Sequence, residues 1–226
     1  MDFLKNYAEF VEQEIKNLEL PSSPIDLYDP LKYFLAIGGK RIRPILTLMS
    51  GELFGLKKED VINGALAIEF LHNFSLIHDD IMDKAPLRRG FETVHEKWNQ
   101  DVAILAGDVL MIKAYQCLAK QQGDLKKLMD AFNQSAIEIC EGQQFDMEFE
   151  TKESVSISEY IEMIRLKTSV LLGCALKLGA IAADASKVDS DLIYNFGVNI
   201  GISFQIQDDI LDLYGNPATF GKQIGG

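Results

Sequence analysis

Apolar positions recur along this chain at intervals of three and four residues, with no convincing alternation of the kind a half-buried strand shows. Phe3, Tyr7, Phe10, Val11 and Leu18 make one stripe, broken by Pro21 and Pro24. A second helix is expected through Leu27, Leu31 and Phe34, stopping at Gly38-Gly39. Pro44 suits the first turn of a third, which reaches Leu53 and ends near Gly55. From about Val61 to Asp83 nearly every position is apolar, including Ala65, Leu66, Ala67, Ile68, Phe70, Leu71, Phe74, Leu76 and Ile77. A helix without a polar face is expected at the centre of its neighbours. Leu166 to Ala183 and Ile193 to Leu213 read the same way, and Ser156 with Glu159 forms a capping box ahead of Lys167. With no repeat, low-complexity tract or long linker, the pattern predicts one all-α domain.

Composition narrows the partners. The 226 residues carry 34 Asp+Glu against 22 Lys+Arg, a formal net charge of −12, which argues against general affinity for nucleic acid or anionic membrane. Cys117, Cys140 and Cys174 lie in apolar helical stretches without a CxxC pair, and read as small core residues of a reducing compartment. The N-terminus lacks a basic segment followed by an apolar run, and the stretch Leu171 to Ala183 is too short to span a bilayer. The expected location is the cytoplasm, with no transmembrane segment.

Two segments share one pattern: His78-Asp79-Asp80-Ile81-Met82-Asp83 and Gln207-Asp208-Asp209-Ile210-Leu211-Asp212. Acids at i and i+4 share a helix face, their Cβ atoms roughly 5–6 Å apart. Like charges so placed on an apolar helix repel, increasingly so once desolvated, and need a cation. Hard oxygen ligands select a hard ion such as Mg²⁺, which shares one or two carboxylates with substrate phosphates. One copy could be a solvated helix end; two copies on the most apolar helices favour a binding role. Local positive charge sits at Gly38-Gly39-Lys40-Arg41-Ile42-Arg43-Pro44, at Arg88-Arg89-Gly90, at Lys167-Thr168 and at Gly221-Lys222. Arg offers a planar fork and Lys a point charge to phosphate oxygens.

The motifs GGKRIRP, LIHDDIMD followed by LRRG, GQQFD, LKTS and FQIQDDILDLYG resemble, in this order, the trans-type isoprenyl diphosphate synthases (polyprenyl synthetases), short-chain farnesyl and geranylgeranyl diphosphate synthases in particular. The resemblance runs from about Leu31 to the end. It implies a bundle of antiparallel helices around a central cavity. It also implies an enzyme joining isopentenyl diphosphate to dimethylallyl, geranyl or farnesyl diphosphate, and a homodimer. On matching positions, Asp79, Asp83 and Asp208 would bind a cluster of about three Mg²⁺ ions, with Asp80, Asp209 and Asp212 as ligands or their orienters. Arg88, Lys167 and Lys222 would hold the allylic diphosphate; Lys40, Arg43, His72 and Arg89 the isopentenyl diphosphate. Thr168 and Gln205 would face the departing allylic oxygen and the developing carbocation, with Gln143, Asp146 and Asp108 in support. The resemblance further implies that residues 1–226 are a catalytic domain lacking its C-terminal helices.

Phe74 lies five residues before Asp79, roughly 7.5 Å down the helix axis. With the small Ser75 beside it, Phe74 stands where the resemblance implies that a bulky aromatic floors the cavity and keeps products short, here C15–C20; equally it could be plain core. Other readings stay open: a longer-chain synthase, a non-catalytic synthase subunit, and a metal-dependent phosphohydrolase built on the His78-Asp79 dyad. The last needs further histidines, of which His72 and His95 remain.

Overall fold

The computed structural model describes residues 2–214, with side chains throughout that range except at Asp2, Asp212 and Leu213. The predicted helices are present as α1 (Asp2–Lys16), α2 (Ile25–Ala36), α3 (Ile42–Leu53), α4 (Lys58–Met82), α8 (Ile157–Ile164), α9 (Val170–Ala182) and α10 (Lys187–Tyr214), and three that the pattern did not single out lie between them: α5 (Val94–Lys97), α6 (Gln100–Leu118) and α7 (Leu125–Phe149). Between α4 and α5 the chain makes a small antiparallel hairpin, β1 (Leu87–Arg88) and β2 (Phe91–Glu92). The reading of no strand pattern missed it because two-residue strands are too short to alternate visibly.

Helix α4 is central, as its uniform hydrophobicity predicts: it packs against α3, α6 and α9, and Ala65, Ala67, Ile68 and Phe70 are fully buried. Almost all of α9 is buried as well, with Lys177 reaching out to Asp191 at 2.7 Å. At the start of α8 the Ser156 hydroxyl accepts from the Glu159 amide, and the Glu159 carboxylate accepts from the Ser156 amide, closing the expected capping box. Between α8 and α9 the helix widens into a π turn, η1 (Arg165–Ser169), which carries Lys167 and Thr168.

Two expectations need correction. Helix α10 was expected to be central, but it buries one side against α9 and η1 and leaves Val188, Leu192, Phe196, Ile200 and Phe204 exposed at four-residue intervals. All-round hydrophobicity marks surfaces that want cover; it does not say which segment supplies it. Cys117 and Cys174 are core residues as predicted, but Cys140 is exposed on α7. No helix among the described residues is long and apolar enough to cross a membrane.

Candidate active site

The first aspartate box ends α4. Asp80 is buried, Asp79 half-buried, and Asp83 forms the exposed C-cap. Burial pushes the Asp79 carboxyl up to about 6, the neighbouring Asp83 charge adds to the rise, and Lys167 opposes it. Asp80 is engaged by the hairpin: Arg88 Nε donates to both its oxygens at 2.8 and 2.9 Å, and Nη2 lies 2.7 Å from Oδ1. Asp80 therefore orients Arg88. It does not stand free beside Asp79.

The second box lies near the end of α10, where Asp208 and Asp209 are half-buried. Gln205 Nε2 donates to Asp209 Oδ1 at 2.8 Å, and Thr168 Oγ1 donates to Gln205 Oε1 at 3.2 Å. The Tyr160 hydroxyl, from α8, donates to Asp209 Oδ2, and its own ionisation is pushed upward by burial and by that carboxylate. Sequence reasoning missed Tyr160. The signal was the capping box, which fixes the start of α8 and hence the direction of the residue after Glu159.

The π turn joins the two boxes. Lys167 pairs with Asp146 of α7 and places its charge near Asp79, while the adjacent Thr168 reaches Gln205 and through it Asp209. An ordinary α-helix would place consecutive side chains about 100° apart, set by 3.6 residues per turn; the wider turn alters that register locally, a device often found at functional sites. Glycines hold it from both sides. A Cβ on Gly142 would lie 2.2 Å from the Lys167 amide nitrogen, and one on Gly201 2.6 Å from Ser169 Cα. Beside Gly142, the amide of Gln143 is buried with neither atom hydrogen-bonded.

The third group is cationic. Arg43 Nη1 lies 3.0 Å from His72 Nε2. Burial lowers the Arg43 guanidinium to about 10, with Arg89 adding to the fall. His72 is held well below its ordinary value by burial and by Arg43, Arg89, Arg88 and Arg41, so it is neutral. Arg89 packs over Gly39, where a Cβ would lie 2.7 Å from its Nη1, and burial with Arg41 nearby lowers its pKa. Lys40 stands exposed at the tip of the same loop. The predicted set Lys40, Arg43, His72 and Arg89 thus lies where α4, the hairpin and the Gly38–Arg43 loop meet.

Several predicted residues fall elsewhere. Asp108 is exposed on α6, 3.9 Å from His78 Nε2, and makes no described contact with either box. His78 itself turns to α6, its Nε2 3.1 Å from the Ile104 carbonyl, and Phe74 packs against its ring with centroids 4.6 Å apart. With His78 so placed and His72 committed to Arg43, a histidine–aspartate metal dyad has no support. Ser75 donates to the His72 carbonyl at 2.9 Å. Lys222 and the side chain of Asp212 lie outside the described residues.

The donors suit Mg²⁺. They are carboxylate oxygens whose burial disfavours the bare anion, as at Asp79. No group of three or more His, Cys, Asp or Glu side chains converges on one point among the described residues. Asp79 and Asp83 at the end of α4, with Asp208 of α10, are the residues that would hold Mg²⁺.

A polyprenyl synthetase family model matches residues 25–226. The geranylgeranyl diphosphate synthase of Methanosarcina mazei is 42% identical over all of this chain and 70% of its own length. The geranylfarnesyl diphosphate synthase of Natronomonas pharaonis is 36% identical over 96% of this chain and 69% of its own. A crystal structure of a geranylgeranyl pyrophosphate synthase superposes with a TM-score of 0.95 at 50% identity, covering 99% of this chain and 68% of that one. Paired acid boxes, a π turn between them and a cationic corner beside them are thus set in a fold these proteins share over nearly the whole chain, and the chain belongs to the polyprenyl synthetase family.

Proposed function

We propose that this site condenses isopentenyl diphosphate with an allylic diphosphate, releasing diphosphate and lengthening the prenyl chain by one isoprene unit. One observation carries the reading: a single π turn sends Lys167 toward the first aspartate box and Thr168 toward the second. An enzyme of this trans-prenyltransferase family must hold a diphosphate between two anionic walls and then part it from carbon. Mg²⁺, when bound, would supply charge neutralisation of the leaving diphosphate. Lys167 and Arg88 add positive charge to the same oxygens, Arg88 held in place by Asp80. The Thr168 hydroxyl and the Gln205 carbonyl oxygen present dipoles to the allylic carbon as positive charge develops there. Arg43, His72, Arg89 and Lys40 hold the isopentenyl diphosphate so that its double bond attacks that carbon. The surrounding apolar helices exclude water from the cation. The released diphosphate accepts the proton, so no protein nucleophile is needed.

Residues 1–226 act, in this reading, as one catalytic domain of a cytoplasmic enzyme using about three Mg²⁺ ions. A homodimer is what membership of the family implies; a monomeric mass in sedimentation for the native chain would rule the dimer out.

Product length depends on Phe74, half-buried one turn before His78 and wedged against its ring. Products of C15–C20 are expected. Labelled isopentenyl diphosphate should enter a longer allylic product, and EDTA should abolish this; no incorporation with any allylic primer would refute the reading. Phe74→Ala should lengthen the products by about one isoprene unit or more, and an unchanged distribution would assign Phe74 to the core.

A further inference from the structure

Arg41 and Glu69 are charged, buried and unused by the chemistry above. Arg41 caps α3 in the left-handed backbone region at φ 51, between the two cations Lys40 and Arg43. Its side chain is 1% exposed, and every nitrogen is taken. Nε donates to Glu12 of α1 at 2.6 Å, Nη1 to Glu69 of α4, and Nη2 to the Leu35 carbonyl of α2 at 3.1 Å. Glu69 is fixed in turn, its Oε1 accepting from Asn73 Nδ2 at 3.0 Å.

Glu69 and His72 stand three residues apart on α4 and so share a face. The Gly38–Arg43 loop is therefore laddered onto that face by two rungs, Arg41 to Glu69 and Arg43 to His72. Glu69 is also the carboxylate that acts favourably on both Arg43 and Arg89, where Arg41 and Arg88 repel Arg89. A left-handed non-glycine residue persists only where its surroundings over-determine it. Here the surroundings are carboxylates from two other helices.

We propose that the Arg41–Glu69 pair is a positioning device for the isopentenyl diphosphate subsite: it sets the register of the Lys40–Arg43 loop on α4 and screens the crowded guanidiniums before the substrate's own charge arrives. The proposal rests on the reading that Lys40, Arg43, His72 and Arg89 form that subsite. It predicts a defect confined to one of two substrates, which a purely structural pair would not produce.

The test is titration calorimetry on the full chain with isopentenyl diphosphate alone and, separately, with an allylic diphosphate and Mg²⁺. Glu69→Gln and Arg41→Gln should weaken isopentenyl diphosphate binding by about tenfold or more and leave the allylic affinity within about twofold, the scale of losing a charge-assisted pair. Arg41→Lys should recover part of the loss, and Glu12→Gln, at a more exposed rung, should lose less. Equal weakening of both substrates, or no weakening, overturns the proposal. If single variants fail to fold because a buried charge is left alone, Arg41→Met with Glu69→Met decides: selective loss supports the device, retained affinity refutes it. Arg43→Gln separates the two levels. Unchanged affinity there would refute the subsite and the proposal with it; weakening there with a silent Glu69→Gln refutes the device alone.

Discussion

Gly142→Ala is expected to reduce condensation at least 100-fold while lowering Tm by about 2–12 °C, the range given by overpacking costs of roughly 1–3 kcal/mol in a chain of this length. The added methyl would sit 2.2 Å from the Lys167 amide nitrogen, and both partners are backbone, so neither can turn aside as a flexible side chain would. Helix α7 and the π turn must separate, and Lys167 and Thr168 move with the turn. Misplacing a positioning group by about 1 Å can cost 10²-fold in rate. Steady-state kinetics and thermal denaturation on the same preparation check it. Activity and Tm both like the wild type would show that the turn is not clamped by α7, and that its approach to the two aspartate boxes has another origin.

Asp79→Asn is expected to trade activity for stability, with opposite signs in the presence and absence of metal. In the folded chain burial raises the Asp79 pKa from 3.8 to about 6. A raised carboxyl leaves stability fully present below pH 3.8, and that stability falls as pH rises through 6. Above pH 7 the penalty is about 3 kcal/mol at most, at 1.36 kcal/mol per pKa unit. In EDTA at pH 8 the Asn variant, with no charge to desolvate, should therefore melt above the wild type, by up to about 6–12 °C. The gain should shrink as pH falls from 6 toward 4. With Mg²⁺ and diphosphate the wild type should overtake the variant, whose condensation rate falls by at least about 100-fold, as when a group stabilising transition-state charge is lost. A variant no more stable than the wild type in EDTA at pH 8 would mean that Asp79 is well solvated, and that the pocket is not poised for a cation.

Much of this was legible in the order of residues. Helical periodicity fixed the bundle class, and uniformly apolar runs marked α4 and α9 as buried, although the same signal misjudged α10. Repeated acids at i and i+4 on such helices required a cation, because burial in low dielectric penalises unpaired like charges wherever the helices go. Each of these follows from local geometry, which a chain carries with it into any fold.

Contacts between distant segments belong to the tertiary structure. Arg88 could have bound a phosphate alone, yet it grips Asp80 through the hairpin. His78 precedes Asp79 in sequence but turns to α6, because successive residues on a helix point about 100° apart. Glu69 carried no motif, and neither the LKTS motif nor the capping box before Tyr160 foretold a π turn or a bond to Asp209, since these depend on which helix lies opposite. The exposed stripe of α10 shows the same limit from the other side. Periodicity and charge spacing are properties of one helix and can be read from it; pairing across 28 or 49 residues, as in Arg41 with Glu69 and Tyr160 with Asp209, is decided when helices pack.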